Sequence, residues 1–462
     1  MQELVEGVGE IVWGPLTIAL LVGTGLFLSV RLRFIQLFRL GLSLRIASGR
    51  DVEDSLTGEL SHFSALTVAL SAAIGNGNIA GVATAIALGG PGAIFWMWVT
   101  ALVGMATVFA STTLALRFRV YDPETGYAGG PMYYIERGLG PKWKPLAQFF
   151  ALCAIIAAYG TGNMVEANSV ADTLEFSLRD IVGYEPRVGT VFGVKLAIGI
   201  LYGALIWLVI VGGIRRIGWV VSRLVPLMFV VYVGSALVVL GLNADAVPAA
   251  FVSIISDAFT GTAATGGFAG AAVMTTIQFG VARGVFSNEA GLGTTPIAMA
   301  AVRSDEPVRA GLVAMNGPLF DTLVVCTITA LVIITTGVWT TGVSGSELTT
   351  MAFNSAVPDL GKLAVTLSLL FFSFSSVVGW SYYGDRGTGY LFGNRRIRVY
   401  RKLFCLLLPL GAVMDLELIW GLCDIANGLM AVPNLIALLL LSPLVVRMTR
   451  DYFERKATEA VV

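Results

Sequence analysis

Two asparagines alternate with two glycines at Gly75-Asn76-Gly77-Asn78, in the middle of an apolar run from His62 to Gly90. Glycine and asparagine are poor helix formers, and a side-chain amide is costly in lipid. A helix interrupted there leaves free carbonyls on the half before the break and free N–H groups, at a positive dipole end, on the half after it. The carbonyls are hard oxygen ligands for a small cation, and the N–H groups can hold a carboxylate. A second weak stretch, Ala263-Ala264-Thr265-Gly266-Gly267-Phe268-Ala269-Gly270, has the same character. The rival explanation for both is close helix packing through small residues. Either way the chemistry is binding, not bond-making. The single histidine, His62, stands at the edge of a span. Cys153, Cys326, Cys405 and Cys423 show no CxxC spacing, and no carboxylates cluster at depth. An enzyme inside the membrane would lack both a nucleophile–base pair and metal ligands.

The elements that carry these stretches are membrane spans. Of the 462 residues, 56% are hydrophobic and only 13% charged, and the mean hydropathy is +0.80. Soluble domains carry about 25% charge, so a cytosolic globule is excluded. A net charge of zero gives nucleic acid nothing to bind. The partner the composition implies is the lipid bilayer. A hydrocarbon core of about 30 Å needs about 20 apolar residues, which predicts an all-α integral membrane protein with eleven transmembrane helices: 11–30, 63–90, 93–116, 146–168, 196–212, 218–242, 263–282, 310–337, 363–382, 403–420 and 425–446. With the loop after the first span on the cytoplasmic side, every Lys and Arg falls on that side except Arg179, Arg187, Lys195 and Lys362. By the positive-inside rule the N-terminus is then outside and the C-terminus cytoplasmic, in a multi-pass cell-membrane protein.

Each weak stretch opens a group of five spans, 63–242 and 251–446. Five is odd, so the second group enters from the opposite face. The chain is thus predicted to be one transmembrane transporter domain over 1–462. It would contain an extra N-terminal helix at 11–30, an inverted repeat of five plus five with a broken helix in each half, and a cytoplasmic tail at 447–462. Paired broken helices in inverted repeats point to the central site of a secondary transporter.

The run Gly89-Gly90-Pro91-Gly92-Ala93-Ile94-Phe95-Trp96-Met97-Trp98, continuing to Gly104, resembles the signature of the alanine or glycine:cation symporter family. Three further runs resemble that family: Gly75 to Gly81, Gly129-Gly130-Pro131-Met132-Tyr133-Tyr134-Ile135, and Arg283-Gly284-Val285-Phe286-Ser287-Asn288-Glu289-Ala290-Gly291. The resemblance implies a leucine-transporter-type fold and sodium-driven uptake of small neutral amino acids, alanine or glycine, in either enantiomer. The co-transported ion would be sodium and the partner a small amino acid. Rivals with the same fold are a proton-coupled carrier of a different or more polar amino acid, and a non-transporting amino-acid sensor.

Carried over residue by residue, the resemblance assigns the backbone at Gly75, Asn76 and Gly77 to the substrate, with the N–H groups of Asn76 and Gly77 on its carboxylate. The carbonyls of Ala73 and Ile74 and the amide of Asn78 would face cations. Thr265, Gly266 and Gly267 would supply backbone near the substrate ammonium, and Phe268 an apolar wall. Ser375 and Ser376 would give two hydroxyls to a sodium ion, unless they bond back to their own helix. Arg283, Asn288 and Glu289 read either as an inner gate or as a structural loop. Asp321, a third of the way into its span, is either functional or an interhelix bond. Glu166 departs from the family, which usually has glutamine there. It reads as a solvated acid near the outer end of its span, or as a site residue facing the substrate ammonium or a cation.

Overall fold

The computed structural model describes residues 2–50, 57–182, 187–260, 269–414 and 417–459. Among the described residues, seven helices are long and apolar enough to cross a membrane: Ala93–Arg117, Pro141–Arg179, Val188–Ile210, Gly213–Leu242, Pro307–Thr336, Leu360–Phe392 and Ile419–Glu459. His62–Ala73 and Gly77–Gly89, bent by 56°, make an eighth span as a pair, and Pro15–Arg31 is a shorter apolar helix. The other two stretches read from the sequence overlap the helices Ala269–Asn288 and Ile397–Val413.

The basic loops gather on one face. Glu59 and Leu60 both donate backbone N–H bonds to the carbonyl of Ala301. Arg119 donates to the carbonyls of Ala300 and Val302 at 3.2 and 2.9 Å. Arg386 reaches Thr125, in a short antiparallel hairpin of Val120–Asp122 and Gly126–Ala128. The opposite face carries the helix Val247–Thr260, held by the aromatic run: the Trp96 indole donates to Ala258 O at 3.1 Å, and Phe95 lies edge-on to Phe259. A Cβ on Gly92 would sit 2.3 Å from the backbone of Asp257, so only glycine allows this approach.

Among the described residues, three helices widen locally into π turns, at Gly77–Gly81, Gly160–Val165 and Leu319–Cys326. Such turns are rare and free a helix's regular hydrogen bonds. The second lies where its helix meets Trp380 and Cys423, so closely that a Cβ on Gly162 would fall 2.3 Å from Trp380. That helix does not stop at residue 168, as the apolar pattern suggested, but runs on to Val182. The last helix likewise continues past 446 to Glu459.

Candidate functional site

Ser61 caps the first broken helix by accepting the N–H of Ser64. The helix ends at Ala73, and Ile74 turns to an extended conformation. Asn78 then closes the turn on itself: its Oδ1 accepts the N–H of Gly75 at 3.0 Å. Its Nδ2 points the other way and donates to Asp321 Oδ1 at 2.6 Å. Asn78 is therefore a strut between the break and Asp321, and its amide oxygen is already engaged by the chain. Asn76 donates to the hydroxyl of Ser169 at 2.7 Å.

Asp321, in the third π turn, is 0% exposed. Its other oxygen accepts from Ser287 at 2.8 Å and from Thr322 at 2.7 Å. Cys326 lies 3.2 Å from the Ser287 hydroxyl. Among the described residues no lysine or arginine pairs with this carboxylate. Sequence reasoning weighed Asp321 but left it out of the site. The signal was present, since a carboxylate inside a span is rare and expensive.

On the described part of the chain a second interruption lies opposite the first. The helix Ala269–Asn288 runs antiparallel to Gly77–Gly89: Thr276 donates to Gly89 O, and a Cβ on Gly77 would lie 3.3 Å from Ser287. Directly after Asn288 the chain unwinds, with positive φ at Glu289 (55°), Gly291 (97°) and Gly293 (89°), before the short helix Thr295–Met299. The loop is tied down. Thr294 donates to Glu289 at 2.5 Å, Asn288 accepts from Ala290 N, and Asn434 donates to Gly291 O at 2.7 Å. Thr265, Gly266, Gly267 and Phe268 lie outside the described residues. Arg283 lies within the helix, on the side of the break away from the basic loops, and lines a cavity there with Asn76, Ser169, Asp172, Phe286 and Trp420.

Because its helix continues to Val182, Glu166 sits near the helix middle, not at a solvated end. It is 5% exposed and within hydrogen-bonding reach of the hydroxyls of Ser373 and Ser376 and the backbone N–H of Asn76. The sites of Gly75 and Glu166 touch: a Cβ on Gly75 would lie 3.3 Å from Glu166 Oε1 and 3.4 Å from Ser376 Oγ. Ser376 also reaches the carbonyl of Ala72 at 3.4 Å. Ser375 faces away. Its hydroxyl donates to Phe372 O of its own helix at 2.9 Å and approaches Met228 Sδ. Of the serine pair, one hydroxyl points to the break, and Ser373 joins it at Glu166.

Of two cavities, one is lined by a residue of the first break and the other by none. The one of about 350 Å³ ends at Asn76. The other, of about 760 Å³, opens among the basic loops and is lined by Glu59, Arg215, Arg386, Arg395, Arg398 and Arg401. They share no lining residue. Arg401 closes the floor of the second by binding Asp385 at 2.5 Å. Burial raises the Glu59 carboxyl above its ordinary value there, against the lowering pull of Arg386, Arg215 and Arg119.

Two facing helix interruptions within a bundle of apolar spans are the arrangement of a secondary transporter. The fold is similar to that of a solved transporter, MhsT in complex with L-phenylalanine, at a TM-score of 0.60 and 16% identity over 83% of this chain and 89% of that one. The model of the sodium:alanine symporter family matches residues 1–461, and the chain belongs to that family. The sodium/alanine symporter AgcS of Methanococcus maripaludis is 46% identical, with 99% of this chain and 98% of the relative covered. An uncharacterized transporter of Haemophilus influenzae is 44% identical over 98% and 97%. The probable sodium/glutamine symporter GlnT of Bacillus subtilis is 36% identical over 99% and 92%. The chain is a sodium-coupled amino-acid importer with a leucine-transporter-type fold, and it is not an enzyme.

Proposed function

We propose that the cargo is a small neutral amino acid, alanine or glycine, bound between the two breaks and carried with sodium. The observation that carries this reading is the meeting of Gly77 with Ser287 at the two helix interruptions. The substrate carboxylate belongs at the N–H end of Gly77–Gly89, by Asn76 and Gly77, where the half-helix dipole is positive. Its ammonium faces the unwound backbone of 289–294. Backbone on both sides leaves little room for a long side chain, which favours small substrates over glutamine. One sodium position lies at the carbonyl end of His62–Ala73, beside Ser376. The resemblance assigns the carbonyls of Ala73 and Ile74 to it. A second lies at Asp321, where Asn78, Ser287 and Thr322 already converge. The basic face is cytoplasmic, the N-terminus is outside, and the two five-span groups form an inverted repeat whose rocking opens one cavity while closing the other.

Uptake of labelled alanine into proteoliposomes, with sodium replaced by choline, tests this. Accumulation in sodium and none in choline is expected. Equal uptake in both, driven by a proton gradient, would replace sodium by a proton, a reading that buried carboxylates such as Glu166, Asp321 and Glu289 would then support.

A further inference from the structure

We infer that Glu166 is itself a sodium ligand, and that its charge makes amino-acid binding conditional on the ion. The inference rests on the proposed function and deepens it.

Three observations converge on the carboxylate. First, Glu166 is nine-tenths buried and its Oε2 has no hydrogen-bond partner. An unpaired carboxylate oxygen in a low-dielectric interior is costly, and a neighbouring cation removes that cost. Second, the described residues in contact with it supply no cation of their own. They include the hydroxyls of Ser373 and Ser376 and the amide of Asn76, and the Tyr202 phenol, whose own hydroxyl is unpartnered, lies within range of its charge. Third, the carboxylate stands beside the C-terminal end of His62–Ala73, where free carbonyls and the negative end of the helix dipole already attract a cation. Ser376 connects the two, lying 3.4 Å from the Ala72 carbonyl. Carboxylate, hydroxyl and carbonyl oxygens are the ligand types a hard monovalent cation takes.

The position of Glu166 adds a second consequence. It reaches the N–H of Asn76, one of the two groups proposed for the substrate carboxylate. Two carboxylates side by side repel each other in a buried site. A sodium ion between them cancels the repulsion, so the amino acid binds well only to the sodium-loaded site. That is a coupling free energy located in one side chain, and it is reciprocal.

The test uses the purified full chain in lipid nanodiscs, with choline holding ionic strength constant. Sodium-induced thermal stabilisation without amino acid reads the ion site, and binding of labelled alanine across sodium concentrations reads the coupling. Glu166→Gln keeps the shape and removes the charge. Half-saturating sodium should rise at least about tenfold, because ligand charge sets cation affinity. Alanine binding in choline should increase over the unmodified protein, which a merely structural role for Glu166 would not produce. Ser373→Ala should raise the sodium requirement in the same direction without the gain in choline. Ser381→Ala, whose hydroxyl bonds its own helix at Val378, serves as the control. Unchanged half-saturating sodium in Glu166→Gln overturns the inference. If Glu166→Gln does not fold, unchanged sodium dependence in Ser373→Ala and Glu166→Asp together does so. Absence of sodium-dependent alanine binding in the unmodified protein would instead overturn the proposed substrate, while the stabilisation assay would still decide the role of Glu166.

Discussion

Asp321 receives hydrogen bonds from residues on three different segments: Asn78, Ser287 and its neighbour Thr322. A carboxylate held by donors from both broken helices ties the two breaks together, and any cation bound there reports on both. Asp321→Asn preserves size and removes charge. Sodium-driven uptake should fall by about tenfold or more while expression and helical content stay intact, since losing a charged partner in a buried site costs about 1.5–3 kcal/mol. Uptake equal to that of the unmodified protein would remove Asp321 from ion binding. Ser376→Ala should raise the sodium concentration for half-maximal uptake, whereas Ser375→Ala should have a smaller effect, because that hydroxyl bonds its own helix. Equal effects of the two would mean that Ser375 turns inward during transport. Asn78 was legible in the sequence because glycine and asparagine stand out in an apolar run. Its partner was not, because 243 residues separate the two and no local pattern links them.

Each break also shows what local sequence can and cannot specify. The first is visible because two glycines and two asparagines fall inside a run too long for one plain span. The second is expected at 263–270, where small residues cluster, and 261–268 lie outside the described residues. Small residues signal packing as readily as unwinding, and the five-span spacing is satisfied by either end of the seventh span. The interruption after Asn288 has its own signal, the spacing of Gly291 and Gly293, two residues that accept positive φ, at and just past the end of the run Arg283 to Gly291. Gly293→Ala should therefore be severe. It combines a strained φ of 89° with a Cβ 2.6 Å from Pro131, and strain of that kind alone costs about 1–3 kcal/mol. Gly337→Ala has a comparable φ of 73° but open space around it, so it should lower thermal stability by only about 1 kcal/mol. Melting temperatures of the two variants compare them directly. Equal losses would mean that contact with Pro131 relaxes freely. The π turns escaped sequence reading altogether, although Gly160-Thr161-Gly162-Asn163 repeats the Gly-X-Gly-Asn pattern of Gly75 to Asn78.

At the scale of the molecule, the two disjoint cavities set the geometry of access. Single cysteines at Thr84, lining the first cavity, and at Arg398, lining the second, test the proposed orientation. In intact cells a membrane-impermeant thiol reagent should label Thr84→Cys and spare Arg398→Cys, and inverted vesicles should reverse the pattern. The opposite result would turn the protein over in the membrane. The distribution of basic residues made the two faces legible, but Arg283 escaped that bookkeeping, because a charge inside a helix facing a cavity is indistinguishable in sequence from one in a loop. The buried carboxylates at the centre have an electrical consequence. On the proposed ion sites, sodium at Glu166 and Asp321 would let the loaded site cross the membrane nearly neutral. The empty site would return with bare negative charge. A membrane potential is worth about 2.3 kcal/mol per elementary charge per 100 mV, so a cell interior that is negative drives the empty carrier back outward, and voltage sets the pace of the return stroke.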